Sequence, residues 1–217
     1  MVYPPTRVIP RPLSDVVREL PYWFVIGGHA VRCFCPYRPS RDVDFGVRDA
    51  MGLEDLLAQL GKSGSVEVLE RAEDTIHLHW NGISVSIFVL KTLLPHVEDR
   101  RLSTTGILAT KLHAILDRGT RRDFFDLYVM LQHQRLGAIE CLTAMRAVYG
   151  PKINEPLLLR ALTYFEDAER EAALPAEGKD DWATVKEYFQ SVVANLLLPP
   201  PAPLAIQARE VDLSDEP

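Results

Sequence analysis

The sequence predicts an α/β (α+β) protein in which a mixed α/β half is followed by a helical half. Three observations carry that prediction. The aromatic and β-branched run Tyr22-Trp23-Phe24-Val25-Ile26 stops at Gly27-Gly28, as a buried strand stops at a tight turn. Asn81-Gly82 joins the strand-like runs Thr75–Trp80 and Ile83–Leu90, and this dipeptide between two such runs is the strongest short hairpin signal. From about residue 101 the apolar residues fall at helical rather than alternating spacing.

In order along the chain, Ser14 to Leu20 predicts a short helix with Ser14 as its N-cap. The strand at 22–26 and its glycine turn lead into a short helix, His29 to Phe34. Pro36 and Pro39 bracket a loop, and Asp42 to Val47 alternates as a second strand. Leu53, Leu56, Leu57 and Leu60 share one helical face, closed by Gly61 and Gly64. Val66 to Leu69 reads as a strand before the hairpin. A helix capped by Thr104 or Thr105 then runs to about Asp117. Gly119 interrupts it, and Thr120 with Asp123 resembles a capping arrangement for the next helix, through about Leu131. Further helices are expected at 137–148, 155–171 and 180–197, with no internal repeat.

The length of 217 residues fits one domain, or a small domain with a helical extension. The expected division is an α/β core at 1–100, a helical half at 101–198 and a flexible, proline-rich then acidic tail at 199–217. No apolar run reaches the roughly 18–20 residues that span a bilayer. The start of the chain, rich in proline, lacks the apolar stretch of a signal peptide. A soluble, cytoplasmic protein without a membrane partner is expected. Cys33, Cys35 and Cys141 are odd in number and form no Cys-x-x-Cys pair, so reduced thiols are expected rather than a disulfide framework or thiolate zinc site. The net charge of −6 argues against coating nucleic acid by bulk electrostatics. Arg118, Arg121 and Arg122 remain close enough in sequence for a local basic strip.

The chemistry concentrates at Gly27-Gly28 and, fourteen residues after Gly28, at Asp42-Val43-Asp44. Residues i and i+2 of a strand share a face, so the two carboxylates converge. Unscreened, they repel and raise one pKa; a hard divalent cation removes that penalty. Mg2+ commonly takes one or two carboxylates and substrate phosphates. A glycine turn opening a helix lets the backbone approach phosphate oxygens, which the helix N-terminus favours. Alone, Gly-Gly is usually only a turn and Asp-x-Asp only a solvated strand edge. The ordered combination is what is specific.

The stretches Phe24-Val25-Ile26-Gly27-Gly28-His29-Ala30-Val31 and Arg38-Pro39-Ser40-Arg41-Asp42-Val43-Asp44-Phe45 resemble the signature of polymerase β-like nucleotidyltransferases. More narrowly they resemble AbiEii-type toxins. A second block fits the same family: Lys111 to Arg118, then Arg121-Arg122-Asp123-Phe124-Phe125-Asp126-Leu127. Together they cover roughly residues 22–131, with a looser fit beyond.

The resemblance implies a mixed sheet with flanking helices, whose active site the helical half completes. It implies Mg2+ on Asp42 and Asp44, a triphosphate over Gly27 and Gly28, and Lys111 as a point charge on phosphate or sugar. Asp123 or Asp126 would orient Lys111 or help to activate the acceptor, and Ser40 and Arg118 would assist nucleotide binding. The residues themselves leave plainer readings open: Lys111 on the surface, Arg118 at a helix C-terminus, Asp123 as a cap, and Asp126 paired with Arg122 across a turn. His77 and His79 share a strand face, either exposed or near the site. His29 adjoins the glycines and either touches phosphate or base or does not. Arg38 and Ser40 shape the loop.

One departure stands out. Many active relatives carry a third carboxylate on a later strand, and here Ser84 and Ser86 occupy that run, Ser86 fitting best. Asp123 or Asp126, or Glu73 or Asp74 from a loop, would have to supply the charge, or the domain binds nucleotide with weak or no catalysis. The function expected by resemblance is transfer of a nucleotide monophosphate from a nucleoside triphosphate to RNA, particularly a tRNA acceptor end. The protein would be the toxin of a toxin–antitoxin or phage-defence pair, with a cognate antitoxin protein. Small-molecule acceptors such as antibiotics, protein hydroxyls, and a regulatory nucleotide-binding module are the alternatives.

Overall fold

Prolines open the fold. In the computed structural model, which describes residues 2–40, 42–175 and 177–197, α1 (Pro5–Val8) and α2 (Arg11–Val17) each carry a proline in their first turn. There the missing N–H is no loss and the fixed φ suits the helix. The helix expected to start at Ser14 therefore starts at Arg11, and Ser14 is buried within it.

Among the described residues seven strands form one mixed sheet: β1 (Trp23–Val25), β2 (Val43–Val47), β3 (Val66–Arg71), β4 (Thr75–Trp80), β5 (Ile83–Val89), β6 (Val97–Glu98) and β7 (Arg101–Leu102). Their spatial order is β3-β4-β5-β2-β1-β7-β6. The hairpin of β4 and β5 turns at Asn81 and Gly82, both with positive φ, as a two-residue turn of that twist requires. β2 lies antiparallel to β1 and parallel to β5. The parallel pairing needs a long crossover, and α4 (Ala50–Ser63) with β3 and β4 provides it. Asp49 caps α4 by accepting from the Gly52 N–H at 2.9 Å. Gly61 lies inside this helix, which continues to Ser63 before Gly64.

Alternation divides the central strands between core and cleft. Val43, Phe45 and Val47, Ile76, Leu78 and Trp80, and Val85 and Ile87 are buried. Asp44, Thr75, His77, His79, Ser84 and Ser86 take the intervening, half-buried positions. Gly46 interrupts the pattern because Phe24, its partner on β1, lays its ring across it. A Cβ on Gly46 would stand 2.3 Å from Phe24 Cζ.

The helical half begins at α5 (Thr104–Asp117), capped by Ser103 rather than by Thr104 or Thr105. It continues through α6 (Arg121–Gln134), α7 (Ala138–Tyr149), α8 (Glu155–Leu162), α9 (Glu166–Glu169) and α10 (Asp181–Leu197). The single helix expected at 155–171 is two helices, broken at Thr163–Phe165. The break turns Phe165 inward against Phe124 and Trp182, with ring centroids 5.1 and 5.8 Å away. The first helix after β1, α3 (Gly27–Phe34), packs on both α5 and α6. That contact joins the two halves through the helix that the glycine turn opens. Among the described residues no helix is long and apolar enough to cross a membrane. The expected tail at 199–217 lies outside the described residues.

Candidate active site

Of the residues singled out from the sequence, Gly27, Gly28, Ser40, Asp42, Asp44, Lys111 and Arg118 meet at one cleft of about 320 Å³, between the β2–β5 face and the start of the helical half. Gly27 takes φ +58°, the left-handed region that glycine enters without steric penalty. Its missing side chain matters as well. A Cβ there would stand 2.4 Å from Asp44 Oδ2, so the turn and the carboxylate approach only because residue 27 is glycine. Gly28 opens the backbone toward Ser40, whose Oγ would lie 3.0 Å from a Cβ at that position.

Asp44 sits on β2 with its carboxylate in the cleft. Asp42 falls just before the strand rather than within it and is half-exposed, yet it lines the same cleft. Burial raises the Asp44 pKa, and Asp42 adds to the rise, while Lys111 opposes it. The two carboxylates are hard oxygen donors of the kind that could hold a divalent cation, and for Asp44 burial opposes the ionised form. Among the described residues no cluster of three potential metal ligands exists, so a cation here would draw its remaining ligands from substrate and water.

Beneath the cleft lies a buried ionic scaffold. Asp123 and Asp126 are one helical turn apart on α6 and both point inward. Lys111 Nζ lies 3.2 Å from Asp123 Oδ1 and 2.6 Å from Asp126 Oδ2. Arg118 donates to Asp123 Oδ2 through Nε at 2.8 Å and to Oδ1 through Nη2 at 3.0 Å, and Thr120 Oγ1 also donates to Oδ2. Burial would raise the Asp123 pKa, but the Arg118 hydrogen bonds, the Lys111 charge and Thr120 together lower it well below the carboxylate range. Asp126 accepts from Tyr37 Oη at 2.6 Å and, on both oxygens, from Arg38 Nη2 at 2.9 Å.

Several plainer readings are thereby corrected. Lys111 is buried, not a surface residue. The Asp123 carboxylate does not cap its helix; it is turned inward to the cations. Asp126 pairs with Arg38 and Lys111, and Arg122 reaches instead to Asp42, at 3.6 Å. With their oxygens already engaged, Asp123 and Asp126 are not free to act as a third metal ligand. Glu73 and Asp74, exposed beyond the β3 edge, do not line the cleft either. The expected basic strip keeps Arg118 and Arg122 but loses Arg121, which is bound to Glu177 and stacked on Trp182 at 4.7 Å.

His29 is 1% exposed and does not line the cleft; neither ring nitrogen has a partner. Burial first, then Arg32, push its pKa down to about 4. His77 does enter the cleft, with Nδ1 2.8 Å from Ser86 Oγ, whereas His79 faces Glu67 at 3.7 Å. Sequence reasoning missed the role of Tyr37 and the Arg38–Asp126 fork. Nothing in local spacing signals a bond between residues 88 positions apart.

Residues 91–202, half of the chain, match the family model described as nucleotidyl transferase AbiEii toxin, type IV toxin–antitoxin system. The chain belongs to the AbiEii nucleotidyltransferase family. The match spans the helical half that carries Lys111, Arg118, Asp123 and Asp126. The AbiEii-family chain is 27% identical over 184 residues to the uncharacterized protein aq_aa25 of Aquifex aeolicus (strain VF5), covering 81% of this chain and 88% of that one. Its fold is similar to that of a candidate nucleotidyltransferase from H. pylori, with a TM-score of 0.54, 15% identity and coverage of 86% and 92%. It is also similar to the antibiotic-resistance factor ANT(2'')-Ia, with a TM-score of 0.50, 12% identity and coverage of 63% and 87%. The polymerase β-like fold expected from the glycine turn and Asp-x-Asp segment, with its mixed sheet and flanking helices, agrees with these likenesses, and the enzyme is a nucleotidyltransferase.

Proposed function

We propose that the protein is a Mg2+-dependent nucleotidyltransferase that moves a nucleotide monophosphate from a nucleoside triphosphate to RNA, with a tRNA acceptor end as the target, and that it acts as the toxin of a toxin–antitoxin pair. The observation that carries the reading is the close approach of the Gly27 turn to Asp44 in a cleft that Lys111 also lines. This is a backbone cradle, a paired-carboxylate site and a fixed cation at one point.

Charge supports the same reading. Arg38, Lys111, Arg118 and Arg122 are balanced by Asp42, Asp44, Asp123 and Asp126, four against four. A triphosphate entering this neutral setting needs a further cation, and Asp42 and Asp44 would hold it. Bound Mg2+ would supply positive charge at the phosphates. The first N–H groups of α3 lack intrahelical partners and favour an anion. The buried carboxylates fix Lys111 in place, so little reorganisation is needed when charge develops on the α-phosphate. Arg118 and Arg122 are half-exposed at the cleft mouth, where an RNA phosphate would meet them.

Expression in a bacterial host, with sequencing of tRNA 3′ ends, tests the biological part. Growth arrest with added 3′ nucleotides, relieved by Asp44→Asn and by the cognate antitoxin, is the expected result. Growth arrest with unaltered RNA would move the acceptor to proteins or small molecules.

A further inference from the structure

We propose that Ser86 and His77 form the proton relay of the transfer reaction, in the place where many polymerase β-like enzymes carry a third carboxylate. The proposal rests on the nucleotidyl-transfer reading above. Ser86 is the register partner of Asp44 on the parallel β2–β5 ladder, and His77 is the register partner of Ser86 on the antiparallel β4–β5 ladder. Partners in register share a face of the sheet. Asp44, Ser86 and His77 therefore stand in one row across three strands, and all three line the cleft. The row spans about 10 Å from β2 to β4, which keeps His77 clear of the metal-binding carboxylates and puts Ser86 beside them.

A serine alone cannot take a proton at neutral pH. A serine whose Oγ is 2.8 Å from a histidine nitrogen can pass one on. The His77 ring is further held by an edge-to-face contact with Phe88, with centroids 5.6 Å apart. In the step, the acceptor oxygen bonds to the α-phosphorus. The bond from that phosphorus to the bridging oxygen breaks, and pyrophosphate leaves with its electron pair. The acceptor proton passes to Ser86 Oγ while the Ser86 proton passes to His77 Nδ1. The charged groups around the row are Asp42 and Asp44 from the β2 segment, Arg38 from the preceding loop, Lys111 and Arg118 from α5 and its end, and Arg122 from α6. Glu70, exposed on β3, stands opposite His77 in register.

The test uses the full chain with total RNA and α-labelled nucleoside triphosphates across a pH series. The variants are His77→Gln, Ser86→Ala, Ser86→Asp and the double Ser86→Asp/His77→Gln. His77→Gln and Ser86→Ala are expected to lower kcat/KM by about 10²-fold or more. The thermal shift produced by triphosphate with Mg2+ should be unchanged in both, and the His77 imidazole NMR signals should move in Ser86→Ala. Ser86→Asp is expected to retain transfer and to make the rate insensitive to His77→Gln. Wild-type rates in His77→Gln and Ser86→Ala would overturn the relay and leave the transferase reading standing. Transfer by Ser86→Asp that still depends fully on His77 would overturn it too. No label in any form and no triphosphate thermal shift would sink the transferase reading and the relay with it.

Discussion

At Asp44 the protein holds a carboxylate where burial and a like-charged neighbour both oppose its ionisation. Its raised pKa means that the folded state binds the proton more tightly than the unfolded state does. Stability therefore falls as pH rises through the interval between the unfolded and folded pKa values. Without divalent cation, Asp44→Asn should raise the melting temperature at neutral pH while removing the added stabilisation by Mg2+ and triphosphate; calorimetry in chelator and in Mg2+ measures both. A buried cation behaves in the opposite way. Lys111→Met leaves Asp123 and Asp126 short of a partner and should lower unfolding free energy by about 3–5 kcal/mol, as breaking buried pairs does. Arg122→Ala removes a half-exposed pair and should cost less than about 1 kcal/mol. Urea midpoints of the two variants decide whether the scaffold is graded in this way.

At the scale of elements, the strand row that builds the cleft depends on the packing of β1 against β2. Phe24 covers Gly46, and a methyl at residue 46 would meet the ring well inside contact distance. Gly46→Ala should therefore destabilise by about 1–3 kcal/mol, as overpacking does, measured as a lower urea midpoint with an unchanged m-value. Elements governed by local chemistry were legible in the sequence: the Asn81-Gly82 hairpin, the Gly27 turn, the Thr120 helix start. The break at Thr163–Phe165 was not, because the helical spacing continues through it and only the distant rings of Phe124 and Trp182 draw Phe165 inward. The start of α2 was misplaced for the reverse reason. Ser14 looks like a cap in isolation, but Pro12 already fits the first turn. At the site, spacing suggested an Arg122–Asp126 pair across one turn that the structure does not form, and the Arg38–Asp126 fork and the Ser86–His77 bond depend on tertiary placement alone.

Across the whole molecule, the contact of α3 with α5 and α6 brings the α/β and helical parts together beside the cleft. His29 sits at that junction, neutral and buried. With a folded pKa of about 4 against an ordinary 6.5, the unfolded chain takes up the proton first as pH falls. The His29 contribution to stability is full above about 6.5 and is lost progressively down to about 4, by roughly 3 kcal/mol in total. The Asp123 contribution, with its pKa held low, persists until still stronger acid. Denaturation midpoints measured between those two pH values should fall steeply in the wild type and more gently in His29→Gln. The identity of the chemistry rests on a more direct measurement. Purified protein is incubated with Mg2+, total RNA and each α-labelled nucleoside triphosphate in turn, beside the Asp44→Asn variant. Label on RNA from one triphosphate, absent in the variant, is the expected result. Equal labelling by Asp44→Asn, or no label from folded wild-type protein on RNA, on the protein itself or on small-molecule acceptors, would contradict the cleft as a nucleotidyl-transfer site.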